Sequence, residues 1–405
     1  MAETVSMSSR TSATSAQRPD LDAFLSLGFR PLYIAGCGWA LISVALWIFA
    51  PHWLQPPVYG LAWHAHEMLW GFIATIAVGF LLTASATWTG HNPLKGKSLG
   101  LVCLLWLLAR PAYLFGGQAG FALGLIAESA FFLISAALLM KVMIKGKSRR
   151  NYGVPVLVLG LGVTNALYLL AALQGDYVTL MQRFDLGLIC MTIIALLIAR
   201  RVIPFFAMRM VPGLQLPMQV RSGQFQLVIS IAAIALGLAK QPQAMAMALL
   251  LVGLISLWQL LKWQPMAVLH KPMLWILYLG YAFMGAGLVL AALHSGQISN
   301  NVLIARAASH VHTLGMGGFG LLIIGMVTRT ALGHLGRPLA LDTSMLVSYY
   351  LMIAAVIFRL TALWPSAGAA WLLRASALCW IACMALYLWR FVPMLIRPRP
   401  DQLTR

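Results

Sequence analysis

Charge is what this chain has least of. Of its 405 residues only 9% are charged and nine are acidic, whereas 61% are hydrophobic. Soluble globular proteins carry roughly 25% charged residues, so an ordinary water-soluble domain is excluded: a chain of this composition would expose more apolar surface than water tolerates. Cysteine is scarce too. Cys37, Cys103, Cys190, Cys379 and Cys383 stand singly or as one C-x-x-x-C, all in apolar runs, which gives neither a disulfide framework nor a zinc pattern. Long polar stretches are confined to residues 1–28, rich in Ser, Thr and Ala. They lack the apolar core of a signal peptide and read as a disordered cytoplasmic tail.

What is present is apolar runs of membrane length. A transmembrane helix needs about 20 mostly apolar residues, and the sequence supplies runs at 29–50, 62–88, 98–116, 121–144, 154–173, 180–199, 222–239, 243–262, 273–293, 302–327, 344–363 and 369–391. The chain is therefore read as an all-α polytopic membrane protein of twelve transmembrane helices. One membrane domain covers 29–396, and a short cytoplasmic tail covers 397–405. Lys and Arg total 28 and the formal charge is +19, which in a soluble protein would point to nucleic acid. Here 22 of the 28 cations fall on connections of one side, leaving Arg110, Arg183, Lys240, Arg306, Arg359 and Arg374 on the other. By the positive-inside rule both termini are then cytoplasmic, and the charge has membrane lipid, not nucleic acid, as its partner.

The histidines sort oppositely. Of nine, His52, His64, His66, His294, His310 and His312 fall at outer connections or in the outer halves of the second and tenth runs. Two runs carry pairs, His64-Ala65-His66-Glu67-Met68 and His310-Val311-His312-Thr313. Ionisable residues inside a span are costly and usually functional, so a ligand site is expected near the outer leaflet. On an α-helix i and i+2 point about 200° apart, so neither pair chelates one ion alone. His64 with Met68 and His312 with Met316 do share a face. A His and Met face suits copper, and one imidazole from each of two helices suits axial ligation of haem iron. An interhelical hydrogen bond is the bland alternative for any one of these rings.

A shift of 246 positions lays His64 on His310, His66 on His312, Gly71 on Gly317, Gly79 on Gly325 and Gly90 on Gly336, without a gap. The second and tenth helices would run parallel, as in transporters whose halves repeat about an axis along the membrane normal. They could face each other across a flat ligand such as a porphyrin. Arg306, one turn before His310, could pair with a haem propionate or snorkel to the headgroups. Glu67 could orient an imidazole or carry protons, and Glu128 is the one acid near the middle of a span, with a relay or a structural role. Arg183 and Asp185 are expected to pair at a helix end. Gly315, Gly317 and Gly320 spell G-x-G-x-x-G, but with no strand before them they read as a packing face, and Trp70 breaks the H-E-x-x-H that His66-Glu67 begins.

Phe29-Arg30-Pro31, Trp63-His64-Ala65-His66-Glu67-Met68, Gly79-Phe80-Leu81-Leu82-Thr83-Ala84 with Trp88-Thr89-Gly90, Arg150-Asn151, Arg201-Val202-Ile203-Pro204-Phe205-Phe206, Leu274-Trp275 with Gly280-Tyr281, and Arg329 with Gly333-His334 and Gly336-Arg337-Pro338 follow one another along the chain. Through these segments, from Phe29 to about Leu339, the chain resembles the NnrS family of bacterial membrane proteins. The resemblance implies a multi-pass inner-membrane protein containing haem (of b type) and copper, linked to nitric oxide metabolism and protection against nitrosative stress. It places His64, His66 and His310 at family positions, makes His312 an addition, and puts Tyr278 where many members carry histidine. The expectation is a haem- and copper-binding protein that handles nitric oxide or a related small ligand, with no redox partner encoded recognisably. The alternative is a secondary transporter of haem, metal or a small anion using the intramembrane His and Glu residues.

Overall fold

Local chemistry marks the helix ends. Asp20, Asp176 and Asp342 each turn a carboxylate oxygen onto the amide three residues on, of Ala23, Thr179 and Met345, satisfying a donor that the first turn leaves unpaired. Gly90 and Gly175 end two helices at φ 72° and 70°, the left-handed conformation that glycine takes without a steric penalty. The computed structural model describes residues 18–297, 301 and 306–400. Among them are twelve helices long and apolar enough to cross a membrane: α1 Phe29–Phe49, α2 Gly60–Thr89, α3 Gly96–Phe115, α4 Gly117–Lys145, α5 Arg149–Gln174, α6 Tyr177–Met210, α7 Val220–Leu238, α8 Pro242–Lys262, α9 Pro272–Ser295, α10 Ala307–His334, α11 Thr343–Thr361 and α12 Ala369–Leu395. The described residues contain no strand.

The largest departures from the hydropathy reading are at the ends of α6 and α10. α6 continues past residue 199 to Met210, through Arg200, Arg201 and Pro204, because tertiary partners take up the charge: Arg201 donates to the Asn151 side chain at 2.6 Å and Arg200 to the Val220 carbonyl at 3.4 Å. α10 ends at His334 rather than 327, and the expected residues 302–305 lie outside the described part. The expected disordered tail also stops short of 28. From Asp20 onward the chain is pinned, with a one-turn helix Leu21–Phe24, the Asp20 amide on the Ile396 carbonyl at 2.8 Å and the Gly96 amide on Leu25 at 2.7 Å. Residues 1–17 and 401–405 lie outside the described part. Both ends of the membrane domain thus meet at one end of the bundle, the termini end. Arg30, 2% exposed, seals that contact by donating to the carbonyls of Leu395 and Arg397.

Burial divides the helices into a centre and a ring. α2, α6 and α10 are the most enclosed, at 89%, 72% and 72% of their apolar windows. Around them α3 packs on α4 and α4 on α5, α7 on α8 and α8 on α9, while α11 packs on α12 and α12 on α1.

The internal repeat is carried by structure. Residues 67–74 of α2 and 313–320 of α10 are both wound as π-helix, offset by the same 246 positions as the sequence match, and the two segments touch. Their partner helices repeat as well. Gly36 of α1 lies against Ile76 and the Phe72 carbonyl, and Gly280 of α9 against Leu322 and the Gly318 carbonyl. Gly79 meets Leu32 as Gly325 meets Ile276, and Gly71 meets Trp39 as Gly317 meets Phe283. The pair α1–α2 therefore recurs as α9–α10. Gly317 against Phe283, and Gly320 against Met352 and Trp380, make the glycine-rich run a packing face.

The repeat permits an asymmetric prediction. A methyl on Gly280 would come within 2.9 Å of the Leu322 backbone nitrogen, whereas one on Gly36 first meets the Ile76 Cδ1 at 2.7 Å. A side-chain tip can turn away and a helix backbone cannot. Gly280→Ala is expected to cost about 1–3 kcal/mol and Gly36→Ala clearly less, read as the melting temperature of each variant in detergent; equal losses would refute the backbone contact as the cause.

At the termini end Asp342 also accepts from Ser344 at 2.6 Å and from the Arg390 guanidinium at 2.6 Å. Partial burial opposes its ionisation, but the bonds from Ser344, the Met345 amide and Arg390 outweigh that and hold the carboxyl below the usual range. Its contribution is present above the ordinary carboxylate pKa and disappears as pH falls through the lowered one. Asp342→Ala is expected to cost about 1 kcal/mol at neutral pH. That difference should shrink in melts as the pH is taken down below the ordinary carboxylate range, and a pH-independent difference would contradict it.

Candidate functional site

The far half of the bundle, opposite the termini, concentrates the polar groups. α2 enters it with His66 and Glu67, α3 with Arg110 and Tyr113, α4 with Glu128, α5 with Asn165 and α1 with Trp39. His66, Glu67, Glu128 and Asn165 are 0% exposed and Arg110 1%. The Arg110 guanidinium bridges two carboxylates, donating one arm to Glu67 and the other to Glu128. The Trp39 indole N–H donates to the same Glu67 oxygen as Arg110, and the Tyr113 hydroxyl to Glu128 at 3.1 Å. His66 closes the ring. Its Nδ1 lies 2.9 Å from Glu67 Oε1, and its Nε2 2.9 Å from Asn165 Oδ1 and 3.0 Å from Glu128 Oε2. Asn165 donates its own N–H to Glu128 at 2.9 Å.

The donor inventory sets the charge state. With both carboxyls ionised opposite the Arg110 guanidinium, the carboxylates and the amide oxygen only accept, and both His66 nitrogens donate, as in an imidazolium. Two carboxylates then face one guanidinium and one imidazolium, and the cluster is neutral as a whole. This is the arrangement in which buried charges are tolerated. It also leaves His66 no ring nitrogen turned toward a metal.

A second group lies where α1, α2 and α10 meet. The Trp47 and His64 rings stack at 5.1 Å with 9° between planes, and the His64 and His312 rings lie 6.4 Å apart at 19°. His312 donates from Nδ1 to the Ala308 carbonyl at 2.8 Å. That bond fixes the neutral tautomer whose Nε2 carries a lone pair, the orientation seen in metal-binding imidazoles. His64 Nδ1 is buried without a hydrogen-bond partner. A third group pairs His310 with His294 of α9, rings 4.9 Å apart, and with Asp185 of α6 at 3.8 Å. His310 Nδ1 is again buried without a partner.

These neighbours rearrange several expectations. α2 and α10 do approach through histidines, but His64 meets His312, whereas His310 turns to α6 and α9. Asp185 faces His310, and two positions along a helix the chain has rotated about 200°, which turns Arg183 away from it. Arg110, counted from its place in the chain among outer-end cations, is the centre of the ionic cluster. Glu67 and Glu128 are members of one site. Arg306 caps the start of α10 and donates to the Leu363 carbonyl at 2.7 Å. Met68 and Met316 lie inside the π segments, where the i,i+4 register of a regular helix no longer holds. Tyr278 donates to the Trp263 carbonyl at 3.0 Å, a purely local tie.

Among the described residues no three His, Cys, Asp or Glu side chains form a ready metal cage. Two-imidazole sets are present, however, and they fit a transition-metal group. The unpartnered Nδ1 atoms of His64 and His310 are the kind of buried donor that a metal satisfies.

A twelve-helix bundle with a parallel repeat and polar groups gathered in one half of its interior defines a multi-pass membrane protein built around an intramembrane site. The chain matches the family model described as NnrS protein over residues 23–399 and belongs to that family. No curated protein matches it.

Proposed function

We propose that this protein is a haem- and copper-binding protein of the bacterial inner membrane that handles nitric oxide or protects against nitrosative stress. Its metal groups would sit in the far half of the bundle, which the Lys and Arg bias makes the outer half. The observation that carries the reading is the meeting of His64 of α2 with His312 of α10, beside a second pair, His310 and His294, with the Nδ1 atoms of His64 and His310 buried without a hydrogen-bond partner. His64 and His312 would hold one group between the helices; His310, steered by Asp185 and beside His294, would serve a second. Copper held by two of these imidazoles, or a haem iron held by one, would be able to take a small neutral ligand. The protein's own part is to restrict water, fix the His312 tautomer through Ala308, and hold α2 in register through the ionic cluster.

Absorption spectra and metal analysis of the purified protein test this directly. His64→Ala, His312→Ala and His310→Ala are each expected to lose most of the haem or copper content while melting close to the parent. Spectra and metal content unaltered in all three would end the proposal. The parallel repeat also supports a secondary transporter, and a colourless protein that moves haem, metal or a small anion into liposomes would favour that reading.

A further inference from the structure

At the termini end a second feature takes no part in the site above. A vestibule of about 470 Å³ is lined there by Trp88, Arg150, Asn151, Arg201, Thr330 and His334, among others. It shares Phe80, Val202 and Met326 with an apolar cavity of about 90 Å³ between α1, α2, α6, α9 and α10. The mouth is cationic and uncompensated: among the described residues lining it there is no carboxylate. Asn151 orients Arg201 by accepting at 2.6 Å, yet Arg201 Nε stays buried without a partner. Arg150 stands near enough to act electrostatically on both Arg201 and Arg200. Guanidiniums that repel one another around an opening are stable when an anion lies between them, and their planar fork matches phosphate or carboxylate oxygens. Behind them the wall is apolar throughout, with Ala195, Ile198 and Phe319 facing the space. A soluble anion has no use for that wall.

We propose that the vestibule and cavity bind one anionic phospholipid, its phosphate held between Arg150 and Arg201 and an acyl chain passing between Phe80, Val202 and Met326 toward the centre of the bundle. Basic recesses between transmembrane helices take lipid headgroups in this way. The combined space falls in the ordinary range of ligand pockets, about 300–1,000 Å³. The chain's end would lie beside Ile73 and Phe319, in the two π segments, so the lipid would brace the contact between α2 and α10.

Native mass spectrometry of the full-length protein, offered phosphatidylglycerol or phosphatidylcholine in detergent, tests this. The parent is expected to retain one phosphatidylglycerol and to discriminate against phosphatidylcholine. Arg150→Gln/Arg201→Gln should lower retention about tenfold, and Ala195→Phe, which fills the cavity and leaves the mouth intact, should do the same. Equal retention of the two lipids by the parent overturns the proposal, and so does unchanged retention in Ala195→Phe, which decides the matter if the arginine variant does not fold. Displacement by millimolar inorganic phosphate with Ala195→Phe inert would make it a soluble-anion site. Loss of haem absorbance in the arginine variant alone would make it a porphyrin site. Either result rejects the lipid.

Discussion

Arg110→Met is expected to prevent accumulation of folded protein. The substitution removes the only guanidinium of the cluster and leaves Glu67 and Glu128, both 0% exposed, opposite each other with one imidazolium between them. Breaking a buried ion pair from one side costs about 3–5 kcal/mol, a large part of the 5–15 kcal/mol by which a typical domain is stable. The loss extends beyond the pair, because the same two carboxylates receive bonds from Trp39, Tyr113, Asn165 and His66, and so tie α1 through α5 together. The control is the triple variant Arg110→Met/Glu67→Gln/Glu128→Gln, which removes the charges along with the guanidinium. Replacing a whole buried ionic group by neutral side chains of similar volume is often nearly neutral, so the triple variant should recover most of the folded yield. Size-exclusion profiles and melting temperatures read both. A single variant as stable as the parent would show that the cluster does not hold these helices, and a triple variant as poor as the single one would point to shape rather than charge.

The same residues show what was legible in the sequence. Hydropathy located all twelve spans, since a bilayer fixes their length, and it erred chiefly where tertiary partners kept Arg200, Arg201 and Pro204 helical beyond the apolar run. The 246-residue match found the repeat, and His64, His66, Glu67 and Glu128 were visible as polar groups too costly to place in a membrane without a role. The partners were not legible. Arg110 lies in the last turn and a half of α3, where an arginine ordinarily snorkels outward. Only its ion pairs with Glu67 of α2 and Glu128 of α4 show that it turns inward. Residues such as Trp39, Tyr113 and Asn165 carry no signal in one sequence, because an indole, a phenol or an amide in an apolar helix has many uses. Whether His64 would face His310 or His312 depended on the angle of each helix, and that angle is set by the π segments. Local propensity does not announce a π turn, which survives only where packing and ligands sustain it.

Those segments provide the most direct test of the histidine site. A π turn accommodates one residue more than an α-helix, so deleting one residue within it lets the helix become regular and rotates everything on one side by about 100°. Deleting Gly315, where an added Cβ would meet open space, should leave α10 intact below the segment, and with it the packing of Gly325 on Ile276. It would swing His310 away from Asp185 and His294, and His312 away from His64, without touching the ionic cluster. The expected result is a protein that folds, melts within reach of the parent and has lost its haem and copper. Deleting Leu69, the equivalent position in α2, rotates His64 out of its stack with Trp47 but also His66 and Glu67 out of the cluster. It should therefore behave like Arg110→Met and fail to accumulate. The contrast between the two deletions separates binding from folding, because the repeat puts equal geometry in both helices and ionic partners in only one. If the Gly315 deletion kept the metal content and absorption of the parent, the histidines of α10 would not be ligands, and the site between α2 and α10 would have to be abandoned.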